Sequence, residues 1–282
     1  MADRFWIDGL PAAVVPADDR GLALADGIFE TLRVANGAVC CARLHRERMA
    51  LGLRRLGFTD PFSLAERAFT ESVQWLCSSS DAHQEGVLRL SITRGSGPRG
   101  YAPGAAHPRI MARFSDGLPG RLAPAVMQVA TVTWPDQPAL AGHKLLARTE
   151  QVLAAIEAEQ LGVNDVVMTD INGHWLSSYM GNIFLRIQST LLTPSLDRAG
   201  IAGTRRRAVI EHWAGVYGFE VNVCAIDPDH IAAADEMFIT NSVMGVRSVQ
   251  CVGGDTFNST CAADALYSSI HQDYAPSFKV AQ

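Results

Sequence analysis

Lysine is almost absent from this sequence of 282 residues. Of its 24 basic residues only Lys144 and Lys279 are lysines, and Lys279 lies within the last four positions. Arginine stays protonated, so among basic side chains only a lysine amine can act as a nucleophile and form an imine. Lys144 is therefore a candidate for imine chemistry, although the count alone fits a surface lysine retained by chance equally well.

Other absences exclude whole classes of protein. No run of 18 apolar residues occurs, and the N-terminus lacks the basic-then-apolar layout of a signal peptide, so we expect a soluble cytoplasmic chain without a membrane partner. The six cysteines have no C-x-x-C spacing and do not cluster with histidines, which argues against a metal site or a disulfide framework. A net charge of -5 without a basic stripe argues against nucleic acid as a partner.

Strands interrupted by isolated helices, without strict βαβ alternation, predict two α+β domains. The stretch 115–124 is rich in glycine and proline and indicates an interdomain linker. We therefore expect a small N-terminal domain over residues 1–114 and a larger C-terminal domain over residues 125–282 that carries Lys144.

Local patterns place several elements within these domains. The dipeptides Asp8-Gly9, Asn36-Gly37 and Asn172-Gly173 predict tight antiparallel turns. Helical periodicity predicts one helix from Leu145 to Leu161 and another from Thr204 to Tyr217. Lys144 would then precede a helix at a domain edge, where partial desolvation makes an amine a better nucleophile. The adjacent His143 is a candidate orienting group or an ordinary loop side chain.

Two further segments have the composition of phosphate sites. The run G-I-A-G-T-R-R-R, residues 200–207, places glycines before a helix whose first-turn N–H groups can hold a phosphate. The same pattern also suits a purely structural helix cap. The strand beginning at Phe238 ends in Thr240, Asn241 and Ser242, whose side chains can bind phosphate oxygens or simply form a turn.

Taken in order, these segments resemble the class IV aminotransferase family, the fold type IV enzymes that use pyridoxal 5'-phosphate (PLP). The resemblance covers nearly the whole chain and includes A-D-G-I-F-E-T-L-R-V from Ala25 and L-H-R-E-R-M from Leu44. It implies a two-domain α+β fold of the D-amino acid aminotransferase type, a homodimer, and PLP bound to Lys144 as an imine. By the same resemblance the cofactor phosphate contacts Arg48, Gly203, Thr204, Arg205, Asn241 and Ser242.

Within this family the segment T-R-G-S-G-P-R-G-Y, residues 93–101, is most similar to 4-amino-4-deoxychorismate lyases. That similarity implies conversion of aminodeoxychorismate to 4-aminobenzoate and pyruvate for folate synthesis, with Lys144 moving the substrate's α-proton. Arginines at a strand end also commonly just face solvent. The resemblance assigns six residues to the substrate pocket: Phe29, Thr31, Arg33, Arg94, Arg99 and Tyr101.

One position departs from the family pattern. The family has a glutamate that pairs with the pyridine nitrogen of PLP, and Ser177 stands there, with Tyr179 in place of a nearby serine or threonine. A serine can hydrogen-bond the ring nitrogen but supplies no charge, which weakens the electron sink and harms amino transfer most. Two alternatives therefore stay open: an aminotransferase for branched-chain or D-amino acids or another PLP lyase, and a PLP-binding homologue of low activity.

Overall fold

The computed structural model describes residues 3–11, 14–78, 85–105 and 107–274. The chain divides into two compact units, one of Met1–Leu118 with His143–Ala147 and one of Pro119–Gly142 with Arg148–Gln282. The predicted class, α+β with two domains, is confirmed. The division after Leu118 falls within the stretch expected to be a linker. The segment that carries Lys144 was expected in the C-terminal domain, and it belongs to the first unit.

The first unit is an antiparallel sheet with helices. Its elements are β1 (Arg4–Ile7), α1 (Arg20–Leu24), β2 (Gly27–Ala35), β3 (Ala38–Val39), α2 (Ala42–Arg55), α3 (Pro61–Cys77), β4 (Gly86–Thr93) and β5 (Arg109–Asp116). The strands lie in the order β1-β5-β4-β2-β3. Alternation along β2 sends Ile28, Leu32 and Val34 into the core with residues of α2 and α3. Phe29, Thr31 and Arg33 therefore lie on the opposite face of that strand.

The start of β2 has an open edge, and this edge binds the lysine segment. β3 pairs only with Val34 and Ala35, so the first half of β2 keeps unpaired backbone groups on that side. The N–H of Phe29 donates to the carbonyl of Lys144 at 3.1 Å, and the N–H of Leu146 donates to the carbonyl of Gly27 at 3.0 Å. Because these residues are held extended, the following helix begins at Thr149 and the predicted start at Leu145 is wrong.

The second unit is built on a nine-stranded mixed sheet. In chain order it contains β6 (Ala125–Val129), α4 (Thr149–Leu161), β7 (Asp165–Thr169), β8 (Trp175–Ser178), β9 (Asn182–Ile187), β10 (Thr190–Pro194), α5 (Thr204–Ala208), a π-helical turn (Val209–Trp213), α6 (Ala214–Val216), β11 (Glu220–Cys224), α7 (Pro228–Ala233), β12 (Glu236–Asn241), β13 (Gly245–Val252), β14 (Asp255–Thr256) and α8 (Cys261–Tyr267). The main strand order is β11-β10-β9-β12-β13-β6-β7-β8, and β14 pairs with β13.

Two of the three predicted turns join paired strands. Asn36-Gly37 connects β2 to β3, and Asn172-Gly173 lies between the antiparallel strands β7 and β8. Asp8-Gly9 forms a turn with a single bridge, between Ile7 and Leu10, because β1 pairs with β5 instead. Within the described ranges, no helix has the length and apolar character needed to cross a membrane.

Candidate active site

The amine of Lys144 lies against the aromatic ring of Phe29. The Lys144 Nζ is 4.1 Å from the ring centroid, and the Cζ of Arg89 is 4.0 Å from the same centroid. Aromatic faces attract cations, so the buried ring of Phe29 holds both groups. The structure thus brings together two predicted residues, Lys144 and Phe29, and adds a guanidinium beside them.

Arg89 is a residue that sequence reasoning did not single out as functional. It lies opposite Thr31 in the pairing of β2 with β4, and opposite Arg113 in the pairing of β4 with β5. Partial desolvation and the nearby Arg113 both lower the pKa of Arg89. Strand alternation indicated only that Arg89 faces away from the core. The cross-strand register places Arg89 near Phe29, and no local pattern in the sequence predicts that register.

Arg48, expected at the cofactor phosphate, is braced by a buried glutamate. Its Nε and one terminal nitrogen donate to the Glu30 carboxylate at 2.8 and 2.6 Å, and the Nδ1 of His45 lies 2.7 Å from the same carboxylate. Burial alone would raise the pKa of Glu30, but the Arg48 charge and these hydrogen bonds lower it to about 2. A guanidinium carries five N–H donors, so pairing with Glu30 does not exhaust Arg48.

Arg94, expected near substrate, is instead part of the buried framework. Its Nε donates to Asp26 at 2.8 Å and a terminal nitrogen donates to the Leu56 carbonyl at 2.6 Å, while its Cζ lies 4.0 Å from the Phe58 ring centroid. The side chain is buried. These partners occupy Arg94 structurally, so we assign it to bracing the turn before β2 and not to substrate contact.

Arg99 and Tyr101 lie on an exposed loop whose backbone carbonyls are hydrogen-bonded by Arg20. The buried guanidinium of Arg20 donates to the carbonyls of Gly100 at 2.9 Å and Tyr101 at 3.0 Å. The Tyr101 side chain is 87% exposed, and Arg99 is exposed too. Across the part of the chain that the structure describes, neither side chain makes a hydrogen bond or an ion pair. Both remain available to contact a ligand.

In the second unit, Gly203 precedes the start of α5, where the sequence predicted a phosphate site. A Cβ on Gly203 would lie 1.9 Å from the Asn182 side-chain oxygen, so any other residue would displace the Asn182 side chain. The Asn182 amide also donates to the Ile201 carbonyl at 2.8 Å, which fixes the preceding loop. The N–H of Arg207 donates to the Gly203 carbonyl at 2.9 Å, so the backbone hydrogen bonding of the helix starts at this glycine.

The side chains of Arg205 and Asn241 hold neighbouring structure in place. The Nε of Arg205 donates to His271 Nδ1 at 3.2 Å, and a terminal nitrogen donates to the Ser242 carbonyl at 3.4 Å. The side-chain oxygen of Asn241 accepts hydrogen bonds from the backbone N–H groups of Val243 and Met244, both at 2.9 Å, as a turn-forming side chain does. The hydroxyl of Thr240 is buried without a hydrogen-bond partner in the described ranges.

Ser177 is buried on β8 beside an indole. The Trp134 Nε1 donates to the Ser177 Oγ at 2.8 Å, and the Arg148 Cζ lies 5.7 Å from the Trp134 ring centroid. Burial lowers the pKa of Arg148. Sequence reasoning did not single out Trp134 or Arg148. No spacing rule connects Trp134 with Ser177, since they are 43 positions apart.

The glutamate brace on Arg48 yields a testable expectation for stability. Glu30→Gln leaves the partly buried Arg48 guanidinium without this counter-charge, so we expect a loss of about 3 kcal/mol at pH 7, measured by urea unfolding. Because the folded-state pKa of Glu30 is lowered, its stabilisation is fully present above the unfolded pKa and is lost as pH falls through about 2. The gap between variant and wild type should therefore narrow in acid.

The matched control is Glu66→Gln, which removes a surface ion pair with Arg46 in the same unit. Exposed pairs contribute little, so this variant should unfold nearly like the wild type. An equal loss in both variants, or a Glu30→Gln deficit unchanged between pH 5 and pH 2.5, would contradict the proposed brace.

Comparison with known proteins gives consistent matches along most of the chain. A family model described as amino-transferase class IV matches residues 27–252. Aminodeoxychorismate lyase of Vibrio harveyi is 30% identical over 250 residues, which cover 87% of this chain and 90% of that protein. A putative branched-chain-amino-acid aminotransferase of Methanocaldococcus jannaschii is 27% identical over 252 residues, covering 88% and 85%. The crystal structure of 4-amino-4-deoxychorismate lyase from Pseudomonas aeruginosa superposes with a TM-score of 0.82 at 32% identity, covering 94% and 98%.

Proposed function

The chain belongs to the class IV aminotransferase family, and from that premise we propose that it is a PLP-dependent lyase converting aminodeoxychorismate to 4-aminobenzoate and pyruvate. The observation that carries the proposal is the Lys144 amine held against Phe29, with the Arg89 guanidinium on the same ring. An amine for the cofactor and a cation for an acidic substrate thereby both contact one aromatic ring. The likeness to two lyases, at 30% and 32% identity, favours elimination over amino transfer.

PLP is the cofactor of this enzyme class, and the residues present fit it. Lys144 supplies the amine, Gly203 keeps the helix terminus clear of a Cβ, and the unpartnered Thr240 hydroxyl lies next to Asn241 and Ser242. When bound, PLP supplies an electron sink for the electron pair left at the substrate Cα after proton removal. In this proposal Arg48, the Thr204 and Arg205 N–H groups, and Ser242 hold its phosphate.

The remaining roles belong to side chains around the reacting centre. Lys144 takes the α-proton from the substrate and returns it as pyruvate leaves. Arg89 and Arg99 bind the acidic groups of the substrate, with Tyr101 beside Arg99 on the exposed loop. Phe29, Thr31 and Arg33 share one face of β2 and line the pocket. A cytoplasmic homodimer acting in folate synthesis belongs to the same proposal.

Product formation tests the proposed reaction. Protein loaded with PLP and given enzymatically made aminodeoxychorismate should release 4-aminobenzoate and pyruvate in equal amounts without any added keto acid. Lys144→Ala should lower the rate by about 1000-fold or more, because no other side chain replaces its amine. Lys279→Ala, the matched control for the other lysine, should leave the rate unchanged. Absence of both products from PLP-loaded protein would refute the lyase proposal.

The likeness to the Methanocaldococcus aminotransferase supports amino transfer as a second candidate function. An aminotransferase would move the amino group of a branched-chain or D-amino acid to a keto acid, and would need that keto acid for turnover. Keto-acid-dependent transfer faster than 4-aminobenzoate release would favour this function. A PLP spectrum without turnover on either substrate class would instead favour the homologue of low activity.

Arg89 offers a separate test of substrate binding. Removal of one charge-assisted contact to a carboxylate should raise KM for aminodeoxychorismate by about tenfold to a hundredfold in Arg89→Gln, with a smaller effect on kcat. The matched control is Arg46→Gln, a charge removed from the α2 surface, which should leave KM unaltered. An unchanged KM in Arg89→Gln would show that this arginine does not contact the substrate.

A further inference from the structure

The hydroxyl of Ser177 is buried, and among the described residues only one of its three hydrogen-bonding positions is used. The side chain is 3% exposed, and its oxygen accepts from Trp134 Nε1 at 2.8 Å. A serine hydroxyl has one hydrogen to donate and two lone pairs. Among the described residues no acceptor for that hydrogen is found. Buried polar groups are nearly always hydrogen-bonded, so the missing acceptor points to an atom of a bound ligand.

We propose that Ser177 donates its hydrogen to the pyridine nitrogen of PLP, which is therefore bound unprotonated, and that Trp134 is the positioning residue that sets this donor orientation. The inference rests on the proposed function, because it requires PLP at Lys144. It specifies the ring chemistry of the site, which the family likeness leaves open at a position where a glutamate is missing.

The hydrogen-bond inventory favours an acceptor on the ligand. A protonated ring nitrogen is itself a donor, so it would have to use the second lone pair of Ser177. The Ser177 hydrogen would then stay buried without an acceptor, and the positive ring would lack a counter-charge. An unprotonated nitrogen has a lone pair and no charge, and it gives the Ser177 hydrogen the acceptor that it lacks.

Among the described residues, the two that contact or pair with Ser177, Trp134 and Met168, carry no charge. On the Trp134 side, the guanidinium of Arg148 lies over the indole ring and disfavours a second positive charge nearby. On β7, the residue paired with Ser177 is the uncharged Met168. The carboxyl of Asp165, also on β7, accepts from the N–H groups of Val166 and Tyr179, and burial raises its pKa to about 7. Burial likewise raises the pKa of the Tyr179 phenol.

Trp134 is well suited to fix the direction of the Ser177 hydroxyl. An indole N–H can only donate, so it always fills one lone pair of the serine oxygen. The ring is buried, and the Trp134 backbone N–H donates to the Thr169 carbonyl at 2.9 Å, which anchors it beside β7. With that position taken, the Ser177 hydrogen can rotate only among the remaining directions.

The protonation state of the ring bears on the type of reaction. An unprotonated pyridine is a weaker electron sink, which penalises reactions that depend on a long-lived carbanion. Elimination of pyruvate from aminodeoxychorismate is driven by formation of an aromatic ring in the product. The proposed Ser177 contact therefore suits the lyase better than an aminotransferase.

The test uses PLP labelled with ¹⁵N in the ring, because the ¹⁵N chemical shift distinguishes a protonated from an unprotonated nitrogen. In the wild-type holoenzyme at pH 7 we expect the unprotonated shift, and in Ser177→Glu the protonated one. Ser177→Ala should weaken PLP binding about fivefold to tenfold, as expected for one hydrogen bond. Trp134→Phe should move the ring-nitrogen shift towards protonation and weaken PLP binding to a smaller extent.

The matched control is Trp213→Phe, a tryptophan whose buried Nε1 has no hydrogen-bond partner in the described ranges. It should change neither the ring ¹⁵N chemical shift nor the dissociation constant of PLP.

A protonated ring in the wild type overturns the inference, as does a Ser177→Ala variant with unaltered PLP affinity and ¹⁵N shift. If Trp134→Phe fails to fold, the two Ser177 variants decide alone. Wild-type protein without the visible absorbance of lysine-bound PLP would refute the proposed function itself, which separates the two failures.

Discussion

Two backbone hydrogen bonds at the open edge of β2 hold Lys144 in place. Phe29 donates to the Lys144 carbonyl, and Leu146 donates to the Gly27 carbonyl. They exist because β3 is too short to cover this edge, and because Gly27 has no Cβ, which would lie 2.3 Å from the Ile92 carbonyl. This pairing brings the amine to the Phe29 ring, and the register of β2 with β4 adds the Arg89 guanidinium to the same ring. If it were lost, the helix could extend back from Thr149 and the amine would have no fixed position.

The scarcity of lysine is consistent with the way this protein uses positive charge. Buried and partly buried arginines stabilise the framework through fixed hydrogen bonds: Arg48 with Glu30, Arg94 with Asp26, and Arg205 with His271 and Ser242. A planar guanidinium with five donors suits this work, whereas an ammonium group does not make forked contacts. In the proposed function, the single lysine away from the C-terminus, Lys144, supplies the amine that must lose its proton.

Local sequence predicted the parts of the fold and site that depend on local physics. The turns at Asn36-Gly37 and Asn172-Gly173 needed only short-range patterns. The start of α4 was predicted wrongly because pairing with β2, more than a hundred positions away, overrides helical periodicity. Arg94 looked available for substrate, yet its carboxylate partner Asp26 lies 68 positions away. The contact of Trp134 with Ser177 could not be predicted from the sequence either, because only the folded sheet brings these distant residues together.

The most direct test of the central claim is chemical trapping of the cofactor on the chain. Borohydride reduces the imine between PLP and a lysine to a stable amine, and mass spectrometry of the digested protein then locates the added group. With only two lysines in the sequence, the assignment has no ambiguity. We predict the phosphopyridoxyl group on the peptide that contains Lys144. Labelling of Lys279 alone, or no labelled peptide from protein saturated with PLP, would contradict the assignment of Lys144.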